Sequence, residues 1–301
     1  MNLDNSFIKK FSNNFSQNVK LSNYSWFNLG GEAEFFFKPS NKNEIIEFLT
    51  EAKKNNLKIT ILGAGSNTLF RDNGVKGAVV KLGSNFSYTK LISDDIVEVG
   101  AATLDRKLAN FAKDNNLANF EFLSCIPGSI GGAVIMNSGC YENDISKILL
   151  SIQVIDIKDC IEKEIKKEDI KFLYRGTSLS QDLIIISAKF KGLISNKGEI
   201  EKKQYNFIEK KKLSQPSQIK TCGSTFKNIN KDKKAWMLIK NSGCDGFKVG
   251  DATISKKHCN FFVNNGKAKS SDIENLIKKV KNTVYIKTGV NLELEIKIIG
   301  D

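Results

Sequence analysis

EAEFFFKPSNKNEIIEFLTEAKKNNLKITILGAGSN, residues 32–67, decides the fold class. The opening EAEFFFKPS reads as a strand closed by Pro39, because proline cannot donate to a sheet ladder. NKNEIIEFLTEAKKNN then sets Ile45, Ile46, Phe48, Leu49 and Ala52 at helical spacing, with Asn41 or Asn43 as the cap. KITILGAG is a short apolar strand running into glycine, and GAVVKL, residues 77–82, supplies the next strand. Strand, helix and strand in that order build α/β architecture.

Outward from this stretch the texture changes twice. Residues 83–208 are richer in strands: DIVEVGAA, LSIQVIDI and DLIIISAKF are short and β-branched. LDRKLANFAKDNN between them reads as a helix with Leu104, Leu108 and Phe111 on one face. The charge run IEKKKLSQPSQ, with Pro216, marks a boundary before a third stretch. There, SSDIENLIKKVKNTVYIKTG carries Ile273, Leu276, Ile277 and Val280 as an amphipathic stripe, and NLELEIKII follows as a strand. The expected partition is 1–82, 83–208 and 209–301.

The 301 residues carry 46 basic and 33 acidic side chains, a formal net charge of +13. A polynucleotide footprint needs basic groups interleaved with exposed aromatics. Here the lysines are spread over the chain, only Arg71, Arg106 and Arg175 are arginines, and Phe35–Phe37 and Phe261–Phe262 sit in apolar runs. A solvated lysine surface fits better than a nucleic-acid-binding protein. The six cysteines, at 125, 140, 160, 222, 244 and 259, form no CxxC, and His258 is the only histidine. A zinc site has almost nothing to build from, so no metal is expected and the cysteines should be free thiols. No apolar stretch approaches the ~18–20 residues of a membrane span. MNLDNSFIKKF lacks the apolar core of an export signal, so a cytoplasmic protein without a membrane partner is expected.

Two glycine clusters carry the chemistry. LGAGSN, residues 62–67, follows the KITI strand directly, and successive N–H groups in such a turn can form an anion cradle. The third glycine of a dinucleotide-binding fingerprint is absent. SCIPGSIGGAVIMNSG, residues 124–139, is a poor strand and a poor helix, and makes sense where backbone lies against a large ligand. Two such elements suggest one extended ligand, such as a dinucleotide, gripped from two sides.

Read in order, NYSWFNLGGEAEFFF (23–37), GAGSN (63–67), IPGSIGGAVIMNSGCY (126–141), YRGTS (174–178), GSTFKN (223–228), SKKHCNFFVN (255–264) and LELEIKIIG (292–300) resemble the UDP-N-acetylenolpyruvoylglucosamine reductase (MurB) family, in its shorter type II form. The resemblance implies an α/β (α+β) fold: a two-part FAD-binding region of the vanillyl-alcohol-oxidase type, then a C-terminal α/β substrate domain. It implies FAD as cofactor, NADPH as co-substrate and a nucleotide-sugar substrate in peptidoglycan precursor synthesis, in a protein expected to be a monomer. Residues 1–257 contain no histidine to link a flavin, so the FAD should be non-covalent. Another FAD-dependent oxidoreductase of the same fold is the rival reading; GSTFKN and LELEIKIIG argue against it. Departures from the family pattern stand at Asn28, Cys125 (commonly glycine) and Ile229.

The implied reaction passes a hydride from NADPH through FAD to the enolpyruvyl methylene, and the adjacent carbon must then be protonated. Carried over by motif, the cofactor-binding residues are Gly63, Ala64, Gly65, Ser66, Asn67, Ile126, Pro127, Gly128, Ser129, Gly131, Gly132 and Asn137. Arg175 offers a planar fork suited to a carboxylate and to negative charge developing on the substrate. Ser224 is the matched proton donor, with Lys227 the nearby cation to hold an alkoxide. Strand alternation cannot choose between Glu293 and Glu295; the family pattern selects Glu295 as the third catalytic group. Lys227, Asn228, Lys248 and His258 are the expected substrate contacts, His258 chiefly as a hydrogen-bonded structural residue near the substrate.

Overall fold

The computed structural model describes residues 5–230 and 232–301; residues 1–4, part of the start read for an export signal, and Lys231 lie outside the described residues. The chain forms two compact units that alternate along the sequence. The first comprises residues 1–17, 35–64 and 77–211, and the second 18–34, 65–76 and 212–301.

In the first unit the helix Lys42–Lys54 forms where its spacing places it, and Asn41 is its cap: Oδ1 accepts from the Glu44 N–H at 2.9 Å. Its face of Ile45, Phe48, Leu49 and Ala52 is buried with Phe7, Phe11, Phe15, Phe35 and Phe37. The Phe37 and Phe48 rings stack with centroids 3.9 Å apart. Each aromatic pair adds about 0.5–1.5 kcal/mol beyond its buried area. Four strands run in the order Phe15–Lys20, Glu32–Phe37, Val75–Val80 and Ile59–Ile61, the last two parallel.

A five-stranded antiparallel sheet completes this unit, in the order Glu162–Lys166, Leu149–Asp156, Leu183–Lys191, Ile96–Gly100 and Thr89–Leu91. Leu183–Lys191 is buried on both faces, which is why its apolar run does not alternate. Two sequence readings are corrected here. The helix Asp105–Asp114 buries Leu108, Ala109, Ala112 and Asp105, whereas Leu104 is extended, bridged to Ser129 and exposed. The glycine-rich run expected to be a poor helix contains one, Ile130–Ile135. The Ile130 and Gly131 N–H groups donate to Thr103 and Ala101 at 2.9 Å each, and a Cβ on Gly131 would lie 3.3 Å from that of Ala101. These tertiary bonds outweigh the penalty of about 1 kcal/mol for each helical glycine.

In the second unit the helix Ser270–Thr288 buries Ile273, Leu276, Ile277, Val280 and Val284, and ends at Gly289 with φ +70°. It packs on the three strands Lys248–Val249, Ala252–Ile254 and Phe262–Asn264. NLELEIKII is not one strand. Only Lys297–Ile299 pairs in a ladder, parallel to Thr68–Phe70. Before it, Lys227 N–H donates to Glu293 carbonyl and Glu295 N–H to Thr225 carbonyl, 2.9 Å each. The segment therefore changes partner, and bends, at Ile296.

Candidate active site

Within the first unit the two glycine clusters meet. A Cβ on Gly63 would lie 3.0 Å from the Ser129 hydroxyl and 4.0 Å from Gly132 Cα. So close an approach shows the two turns packed directly on each other, which glycine allows. Of the second loop's N–H groups, those of Ile130 and Gly131 are taken by Thr103 and Ala101, while Gly128 carbonyl accepts from Asp105 N–H at 3.2 Å. Asn137 is buried with its side chain bonded within the protein: Oδ1 accepts from Ser146 N–H at 3.0 Å and Nδ2 donates to Leu173 carbonyl at 3.2 Å.

Sequence reading missed Lys81, whose ammonium donates to Gly63 carbonyl at 2.6 Å. Burial, then the like charge of Lys38, pushes its pKa below the usual lysine range. The signal was available. Lys81 ends the strand Val75–Val80 as Gly63 ends its parallel neighbour Ile59–Ile61, and α/β sheets bind ligands outside the carboxyl ends of parallel strands. Asp105 was also missed: it is fully buried, neither carboxylate oxygen has a protein hydrogen-bond partner, and burial pushes its pKa well above the carboxylate range.

Arg175 adopts φ +57° and its Nη2 donates to Gly139 carbonyl at 2.7 Å. Its guanidinium lies over the Tyr174 ring, 5.2 Å from the centroid. Gly139–Cys140 pairs with Asn143–Asp144 through a two-residue turn in which Tyr141 and Glu142 are both left-handed. Asn-Gly usually supplies that turn; here two L side chains hold it at about 1–2 kcal/mol each.

The second unit holds Gly65, Ser66 and Asn67. Gly65, at φ +69°, is required, since a Cβ would collide with Tyr24 carbonyl oxygen. Asn67 Nδ2 donates to Glu295 carbonyl at 3.0 Å, and Asn67 carbonyl accepts from Lys297 N–H at 2.9 Å. Ser224 bridges to Phe261. The next residues are clamped by Asn260, which sequence reading did not single out: Oδ1 accepts from Phe226 N–H at 3.0 Å and Nδ2 donates to Phe226 carbonyl at 2.8 Å. Ser224 and Glu295 therefore lie on neighbouring segments tied through Thr225.

Lys227 Nζ is 3.8 Å from Glu293 Oε2. Asn228 Oδ1 accepts from Ala235 N–H at 3.0 Å, holding the start of the helix Ala235–Asn241. Lys248 is exposed at the sheet edge. His258 Nδ1 accepts from Asn260 N–H at 3.3 Å, its ring sits edge-on to Phe261, and burial lowers its pKa, leaving it neutral at pH 7. Among the described residues no group of His, Cys, Asp and Glu could hold a metal ion, and no helix is long and apolar enough to cross a membrane.

These features belong to the FAD-dependent oxidoreductases. Residues 33–160 match the model of an FAD binding domain, and residues 215–299 that of the UDP-N-acetylenolpyruvoylglucosamine reductase C-terminal domain. The chain is 47% identical over 300 residues to the UDP-N-acetylenolpyruvoylglucosamine reductase of Pelagibacter ubique, covering 97% of this chain and 98% of that protein. Identity to the enzyme of the same name from Orientia tsutsugamushi is 38% over 296 residues, 97% of each chain. The crystal structure of the Thermus caldophilus reductase (MurB) superposes with TM-score 0.83 at 31% identity, covering 94% of this chain and 98% of that one. The chain belongs to the UDP-N-acetylenolpyruvoylglucosamine reductase family.

Proposed function

We propose that the chain reduces UDP-N-acetylglucosamine enolpyruvate to UDP-N-acetylmuramate with NADPH and FAD, in peptidoglycan precursor synthesis and so in cell-wall growth. The observation that carries this reading is similarity to a reductase of that name along 97% of the chain. The work divides among residues 1–82 and 83–208 for the flavin and 209–301 for the substrate. The residues present fit FAD, because the Gly63 turn and the Ser129–Gly132 loop lie side by side and the part-buried ammonium of Lys81 stands at Gly63 carbonyl, a donor suited to a diphosphate.

Bound there, FAD supplies two-electron transfer from NADPH to the enolpyruvyl group. Gly63–Asn67 and Ile126–Gly132 hold it without a covalent bond, and Lys81 adds positive charge at Gly63. Asn67 and Asn137 act through the backbone they fix. Ser224 gives its hydroxyl proton to the carbon beside the substrate carboxylate. Arg175 binds that carboxylate and stabilises the negative charge developing on it. Glu295 is the third catalytic group, its backbone fixed from both sides. Lys227 and Lys248 serve the diphosphate, Asn228 shapes their loop, and neutral His258 braces Asn260. The enzyme works in the cytoplasm, where both nucleotides are held.

Anaerobic reduction by NADPH followed by substrate addition tests this reading. Bleaching of the flavin and its rapid return are expected; bleaching without return would reassign the chain to another oxidoreductase of the fold. Acid precipitation should leave the yellow colour in the supernatant, and colour in the pellet would contradict non-covalent binding.

A further inference from the structure

Cys125 and Cys140 lie on the turn Glu121–Cys125 and the strand Gly139–Cys140, which touch, and Cys140 Sγ reaches into the Cys125 turn. Both are free thiols in this structure. Cys125 Sγ is 3.7 Å from Ser124 Oγ, and Cys140 Sγ donates to Phe122 carbonyl at 3.4 Å. Two cations face the pair. Lys211 is half-buried and donates to Cys125 carbonyl at 2.6 Å; Arg175 is held on Gly139 carbonyl, one residue from Cys140. Tyr141 is a further titratable neighbour, its pKa pushed up to about 12 by burial and then by the thiols.

The neighbouring Cys140 thiol, helped by Ser124 and Lys211, holds the Cys125 thiol below its usual range. Cys125 in turn, with burial, pushes Cys140 up, and its S–H stays on Phe122 carbonyl. Cys125 is thus the readier nucleophile and Cys140 the proton-bearing partner, the division that reversible thiol oxidation uses. Cys125 stands where the family commonly has glycine, so this pair belongs to the chain's own sequence and not to the reaction described above.

We propose that Cys125 and Cys140 form a hydroperoxide-reactive pair that closes to a reversible disulfide and thereby loosens the grip of Gly139 on Arg175. The Cys125 thiolate attacks one oxygen of hydrogen peroxide; the O–O bond breaks, and the departing hydroxide leaves as water after taking a proton from solvent. Cys125 is now a sulfenic acid. The Cys140 sulfur attacks it, the S–S bond forms, the S–O bond breaks, and the hydroxyl leaves as water with the Cys140 proton. Two thiols lose two electrons and one peroxide becomes two waters. Closure brings the sulfurs to about 2 Å, and that drags the strand whose preceding carbonyl holds Arg175. The effect on turnover rests on the Arg175 reading; the thiol chemistry does not.

The test treats the FAD-loaded enzyme with a small excess of hydrogen peroxide, blocks remaining thiols, and maps the peptides by mass. A Cys125–Cys140 link reversed by dithiothreitol is expected, with reoxidation of the reduced flavin by substrate slowed by about 10²-fold until the reductant is added. Cys140→Ser should trap a sulfenic acid at Cys125, and Cys125→Ser should resist the treatment with activity kept. No link, or a link to another cysteine, overturns the thiol pair. A link that leaves reoxidation unchanged, in an enzyme that Arg175→Lys does slow, overturns the control of Arg175. Normal reoxidation by Arg175→Lys itself would sink the reading of Arg175 and leave the thiol chemistry standing.

Discussion

The glycine-rich segment of the first unit contains the short helix Ile130–Ile135, whereas the Ser224 segment of the second has no regular element, and the two are fixed by a different balance of bonds. Residues 126–139 are held chiefly by backbone bonds to 101–105 and by Gly139, where a Cβ would collide with the Asn143 carbonyl oxygen. Residues 224–228 add amide side chains to their backbone bonds: Asn260 on Phe226 and, across the pairing to Glu295, Asn67. The first region should fail when atoms are added to it. The second should fail when atoms are removed.

Gly139→Ala should break the first region most severely. A Cβ there collides with the Asn143 carbonyl oxygen, so the hairpin must shift and carry with it the Gly139 carbonyl that accepts from Arg175. Stability should fall by about 3 kcal/mol in urea unfolding, with reoxidation by substrate impaired as well. An unaffected variant would mean the hairpin tolerates a side chain, and the contrast would lose one side.

Asn260→Ala should come next. It leaves the Phe226 N–H and carbonyl without their side-chain partners and displaces the neighbouring Ser224. A rate loss of about 10²-fold in reoxidation by substrate, with NADPH reduction intact, is expected in stopped flow. Equal loss in both steps would instead indicate general unfolding.

Asp105→Asn should give the smallest effect, and one of opposite sign. The folded-state pKa of Asp105 is raised, so above the ordinary carboxylate range the unfolded chain has released a proton that the folded chain still binds. Stability therefore falls as pH rises through that window. Asn removes the slope, so the variant should gain on wild type as pH climbs from 4 toward neutrality, by about 1 kcal/mol. Parallel pH profiles for the two proteins would contradict the buried, proton-bearing carboxyl.

The sequence made local elements legible and partner choice much less so. Asn41 and the stripe of Lys42–Lys54 could be read because a cap and a helical face are set within a dozen residues. NLELEIKII could not, since its two halves pair with Thr225–Lys227 and Thr68–Phe70, both far away in the chain. The alternation of units has the same origin: residues 18–34 and 65–76 join the C-terminal residues through such long-range contacts. Motif resemblance named the candidate serine, arginine and glutamate. It was silent on Asn260 and Lys81, whose roles lie in what their side chains hold.

The most direct test of the account is Ser224→Ala, with the two half-reactions followed separately by anaerobic stopped flow. Flavin binding and reduction by NADPH should match wild type, while reoxidation by the enolpyruvyl substrate slows by about 10²–10⁴-fold, the loss typical of a missing general acid. Ser224→Cys should recover part of that rate, since a thiol of pKa about 8.5 still donates a proton. Reoxidation at the wild-type rate in Ser224→Ala would contradict the account, leaving Ser224 a turn residue and the proton to Glu295 or to water.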